Sequence, residues 1–99
     1  MKRQKETPAR EDADATALSI LGWLAGEPDL LSRFLALTGV APGEVRNAIN
    51  DPGFLAGLVD FLMEHEPTLL AFSAATGIPP EAVVHAHAVL SGPHGGGDF

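Results

Sequence analysis

Proline placement constrains this chain more than any other feature. Six of its eight prolines stand where a helix would begin: Pro8, Pro28, Pro42, Pro52, Pro67 and Pro80. Proline suits the first helical position, because its fixed φ is already helical and no N–H is needed there. Glycines follow several of the intervening stretches, at Gly26, Gly39 and Gly77, where left-handed C-terminal caps are expected. Thr7 before Pro8 and Asp51 before Pro52 carry side chains of the N-capping type.

Apolar spacing between these marks predicts six helical segments. The first covers about 9–25, with a stripe of Ala17, Leu18, Leu21 and Leu24. The second covers about 28–38, with Leu30, Leu31, Phe34 and Leu37. The third is short, about 42–50, with Val45, Ala48 and Ile49. In the fourth, about 52–65, Phe54, Leu55, Leu58, Phe61 and Leu62 share one face and leave Asp60 and Glu64 on the other. The fifth, about 67–76, contains LLAFSAA and is apolar nearly all round, which predicts the central buried helix. The sixth, about 80–91, carries Ala82, Val83, Ala86, Val89 and Leu90. No stretch alternates with period two for long enough to argue a strand. The expected architecture is a compact all-α single domain of five to six short helices over residues 11–91. A flexible basic arm at 1–10 and a flexible glycine-rich tail at 92–99 are expected to flank it.

Two parts of the chain echo each other. Glu27-Pro28-Asp29-Leu30-Leu31 matches Glu66-Pro67-Thr68-Leu69-Leu70. Phe34, Thr38-Gly39-Val40, Pro42 and Val45 match Phe72, Thr76-Gly77-Ile78, Pro80 and Val83. Each block reads as helix, Thr-Gly-aliphatic-x-Pro, helix. Reused capping grammar and a true duplication both account for the pattern.

The net charge of −7 is unevenly distributed. Residues 1–10 hold Lys2, Arg3, Lys5 and Arg10 against Glu6, while residues 11–99 hold only Arg33 and Arg46 against twelve carboxylates. The expected domain therefore contains no lysine. A nucleic-acid-binding face needs several Lys or Arg to replace phosphate counterions, and two scattered arginines do not supply them. The arm reads as a solubilising terminus, or more sharply as a loose polyanion contact. Cysteine is absent, which excludes a disulfide framework, zinc thiolates and a catalytic thiol. No apolar run approaches the roughly 20 residues of a membrane span. The basic start runs into Glu11, Asp12 and Asp14 rather than an apolar stretch, so it reads as neither a secretory nor a mitochondrial signal. A cytoplasmic location is expected.

Candidate chemistry is sparse. FLALTGVAPGEVRNAI fits helix-turn-helix spacing, and would place Glu44, Arg46, Asn47 and Asn50 on a reading helix. The plainer reading is that the turn serves packing only. Among the four histidines, His85 and His87 are two apart and so point to different sides of a helix, whereas metal pairs prefer spacing of four. Glu81 and His85 have that spacing but are only a pair; His94 sits in the glycine-rich tail. Glu64-His65-Glu66 reads as a solvated helix end. Ser19, Ser32, Ser73 and Ser91 lie in no nucleophile-elbow pattern. No metal, cofactor or catalytic residue is expected. Trp23 falls nearly opposite the Leu21/Leu24 stripe, where an aromatic marks a partner surface unless a neighbouring helix covers it.

Several blocks together are specific. They are Phe34-Leu35-Ala36-Leu37-Thr38-Gly39, Pro42, Val45-Arg46, Asp51-Pro52-Gly53-Phe54-Leu55-Ala56, Asp60-Phe61-Leu62, Leu69-Leu70-Ala71-Phe72 and Gly77. In this combination the chain resembles a family of small alphaproteobacterial proteins, domain of unknown function 3572, over about residues 17–90. The resemblance implies a compact helical, cytoplasmic bacterial protein and supplies no reaction, cofactor or catalytic residue. The expected function is a non-catalytic protein–protein interaction or adaptor module, with Trp23, Arg46 and Asn47 as its candidate surface and self-association as one form of it. The alternative is a helix-turn-helix-like regulator touching nucleic acid through residues 42–50 and the basic arm.

Overall fold

The computed structural model describes the backbone of residues 8–97 and the side chains of residues 9–91. Thr7, most of the basic arm, and the side chain of His94 lie outside the described residues. The elements are α1 (Pro8–Leu24), α2 (Pro28–Thr38), a 3-10 turn (Pro42–Glu44), α3 (Val45–Ala48), α4 (Pro52–Met63), α5 (Glu66–Thr76) and α6 (Pro80–Gly97). The fold is all-α, as the apolar spacing predicts, and every one of the six marked prolines stands in the first or second position of its element. α1 starts at Pro8, one of the six marked prolines, and spans nearly the expected segment. The α6 backbone is helical to Gly97, beyond the expected end near residue 91.

Three helices make the centre. α1 lies chiefly along α6, and α4 packs against both. Ala13 and Ala17 of α1 and Ala86 of α6 are completely buried. Such small side chains let helix axes approach closely, so this pairing is tight without large residues. Ile20 and Leu24 complete the inner face of α1. α4 brings Phe54, Leu55, Leu58, Val59 and Leu62, and α6 brings Val83, Ala86 and Leu90. Each fully buried Val, Leu, Ile or Phe contributes about 1.5–3 kcal/mol of transfer free energy.

Aromatic edges fasten the outer helices. Phe34 of α2 meets Phe54 and Phe61 of α4 edge-on, both at 5.4 Å between ring centres. Trp23 of α1 meets Phe72 of α5 edge-on at 5.7 Å. Edge-to-face pairs align the positive ring rim with a negative ring face.

Four expectations are corrected. The central helix is α4, not α5, which buries only Thr68 and Phe72 and leaves Leu70 49% exposed. Much of the all-round apolarity of α5 is alanine (Ala71, Ala74, Ala75), which forms helix well and is tolerated in water. In α1 the buried stripe is Ala13, Ala17, Ile20 and Leu24, so Leu18 turns outward. In α2, Leu35 rather than Leu37 joins Phe34 in the core. Gly26 adopts no left-handed cap: among the described glycines, positive φ occurs only at Gly39 (77°) and Gly77 (81°). The Gly26 N–H instead donates to the Trp23 carbonyl at 3.0 Å, a tight three-residue closure.

Candidate functional site

The echoed turns have nearly the same local chemistry. After α2, the Gly39 N–H donates to the Leu35 carbonyl at 2.8 Å and the Val40 N–H donates to Thr38 Oγ1 at 3.3 Å. After α5, the Gly77 N–H donates to the Ser73 carbonyl at 2.9 Å and the Ile78 N–H donates to Thr76 Oγ1 at 3.2 Å. The threonine hydroxyls themselves donate back into their helices, to the carbonyls of Leu35 and Phe72. In both turns a left-handed glycine closes the helix, and a threonine hydroxyl orients the extended exit toward the next proline.

Beyond the two turns the chain takes different courses. After the first, it makes a 3-10 turn and a single α-helical turn, α3, with no buried residue. This is the element on which the candidate residues Arg46 and Asn47 sit, and both are exposed. They line a shallow groove of about 630 Å³ with Leu21, Pro42, Val45 and Ile49. Asn47 also reaches a second depression, with Val40, Glu44, Ala48 and Asp51. Asp51 caps α4: its Oδ1 accepts from the Gly53 N–H at 2.9 Å. A helix-turn-helix reading needs Glu44, Arg46, Asn47 and Asn50 on one helix, but only Arg46 and Asn47 lie in the single turn of α3; Glu44 ends the 3-10 turn before it and Asn50 follows it.

Trp23 does not join Arg46 and Asn47. It is half-buried, and its ring is turned to Phe72 of α5. Leu21, two residues earlier and so on another side of α1, faces the α3 groove instead. The apolar spacing places Leu21 on the core stripe, and nothing in that spacing separates a core leucine from one left at the edge of a short neighbour. Leu37 is exposed at 69% for a similar reason. It follows Phe34 in phase, on the last turn of α2.

The histidines serve three different neighbourhoods. His65 precedes α5, and its Nδ1 lies 2.6 Å from Thr68 Oγ1. His87 Nε2 lies 3.0 Å from Asp60 Oδ1 and so links α6 to α4. His85 lines a depression of about 480 Å³ between α1 and α6, with Asp12, Thr16, Ser19 and Glu81. The two residues of separation between His85 and His87 thus aim them at different helices. Among the described residues, no three His, Asp or Glu side chains are grouped so as to hold a metal ion. No helix among them is long and apolar enough to cross a membrane.

A model of the family described as protein of unknown function (DUF3572) matches residues 10–93. No curated protein and no solved structure matches the chain.

Proposed function

We propose that this chain, which belongs to the DUF3572 family, is a non-catalytic protein–protein interaction module. The observation that supports the reading best is the apolar surface at the end of α2. Single exposed leucines are ordinary on a protein surface. Leu37, however, is 69% exposed on the last turn of α2, and the same end of the helix carries Leu35 and Ala36, which line a shallow depression with Ser32, Val40 and Pro42. Arg46 and Asn47 stand beyond Pro42 on the adjoining groove. An apolar centre beside a few polar groups is the composition of a protein-binding patch. The module is read as cytoplasmic, with which a cysteine-free composition agrees.

The test uses Leu37→Asp and Arg46→Glu in the full chain, with folding checked by circular dichroism. Light scattering across concentrations reads self-association, and affinity capture reads other partners. The reading stands if the mass rise, or one captured protein, is lost with Leu37→Asp. It falls if both variants behave as the parent in both measurements. A salt-dependent shift of DNA that weakens on Arg46→Ala would replace it with the nucleic-acid reading.

A further inference from the structure

We infer that residues 41–50 form a strap that opens as one unit while α1, α4 and α6 stay packed. Four observations carry this. First, the strap bonds only to itself and its ends. The Glu44 N–H donates to Ala41, Ile49 to Val45, Asn50 to Asn47 and Asp51 to Ala48, at 2.8–3.2 Å. Among the described residues, no side-chain hydrogen bond or ion pair ties it to another element.

Second, none of its side chains is buried; Val45, Ala48 and Ile49 are half-buried against the core and are its apolar anchors. Third, one helical turn is far below the roughly 12–15 residues at which an isolated helix becomes marginal in water. Once Val45 and Ile49 lift, the internal bonds have no support and are lost with them, which makes the opening cooperative.

Fourth, both ends are pivots outside the helical region. Gly39 has φ 77°, and Asp51 is extended at φ −97°, ψ 117°. Beyond the pivots the chain is anchored on each side by the Phe34–Phe54 ring pair. The echoed unit shows the contrast. Val83 and Ala86, which stand where Val45 and Ala48 stand in the first unit, are completely buried in α6. The same turn therefore leads once into the core and once into a strap. Opening would uncover Leu21 and the inner sides of Val45 and Ile49. This does not depend on the module having a partner.

Amide hydrogen exchange of the full chain, followed by NMR across low denaturant concentrations, tests the strap. Locally opening units exchange at free energies below that of global unfolding. The amides of Ile49, Asn50 and Asp51 should share one opening constant with little denaturant dependence. It should be at least tenfold larger than that of the Leu58 and Leu62 amides in α4. Ile49→Ala should raise exchange at all three strap amides together, by about tenfold. Leu62→Val should speed the α4 amides and leave the strap amides unchanged, because it weakens the closed and strap-open forms alike. The inference is overturned if the three amides exchange with unrelated constants, match the α4 amides, or respond to Leu62→Val. The denaturant dependence in the parent chain decides the question by itself if either variant fails to fold.

Discussion

Phe34 is only 1% exposed and meets two other rings, so its removal leaves a cavity that the short helices around it have few ways to close. Phe34→Ala should cost about 3–5 kcal/mol. Leu70→Ala removes a side chain that is 49% exposed and should cost less than about 1 kcal/mol. Thermal melts followed by circular dichroism compare the two, and equal losses would contradict the assignment of α5 to the periphery. Glycines give a change of opposite sign from one residue type. Gly22 lies within α1, and a Cβ added there meets no atom within 4 Å. Gly22→Ala should therefore stabilise by about 0.5–1 kcal/mol through helix propensity. Gly77 is equally uncrowded but has φ 81°, so Gly77→Ala should destabilise by about 1–2 kcal/mol through backbone strain alone. Chemical denaturation of both variants checks the signs. Gly77 is legible as a cap because a Thr-Gly-aliphatic-x-Pro unit surrounds it. Gly26 is the same residue type without the threonine, and its chain closes by a tight turn instead.

At the scale of elements, capping chemistry is the most readable part of the chain. Proline at the helix start and Asp51 at the N-cap are local devices, satisfied by neighbours within three residues, so no knowledge of tertiary packing is needed to see them. Asp51→Ala should cost about 1 kcal/mol by loss of the bond from Gly53 N–H, and Asp51→Asn should recover most of it. Urea titration separates the pair; equal losses in both would assign the role of Asp51 to its charge rather than its capping oxygen. Which helix lies at the centre is less legible, because it depends on the number of neighbours rather than on the helix itself. α4 and α5 are both strongly apolar, yet α4 packs against α1, α2, α5 and α6 and buries five large side chains, whereas the surface of α5 is rich in alanine. The candidate site is legible in part. Arg46 and Asn47 share a groove, as their closeness in sequence suggests. Trp23 stands opposite one stripe of α1, but the long-range ring contact with Phe72 that covers it has no signature in local spacing.

For the whole molecule, charge distribution sets the response to salt. The described side chains include three arginines, Arg10, Arg33 and Arg46, and no lysine, against eleven carboxylates. The ion pair of Arg10 with Asp14 and the polar contact of His87 with Asp60 each join partly exposed groups, and exposed ion pairs contribute about 0–1 kcal/mol. Repulsion among the many remaining carboxylates therefore outweighs attraction in the folded body. Folding brings those groups closer together than they are in the expanded chain, so the repulsion opposes the compact state. At roughly 0.1 M salt the screening length is about 10 Å, shorter than most separations across a body of this size. Raising sodium chloride from about 0.01 M to about 0.3 M should then raise the melting temperature by a few degrees. Most of the gain should fall within that range, because surface charges farther apart than the screening length are already largely screened by its upper end. A chain held together by surface ion pairs would respond in the opposite direction. A calorimetric scan series distinguishes the two, and a melting temperature that falls with salt would contradict a fold carried by its apolar centre and opposed by its own charge.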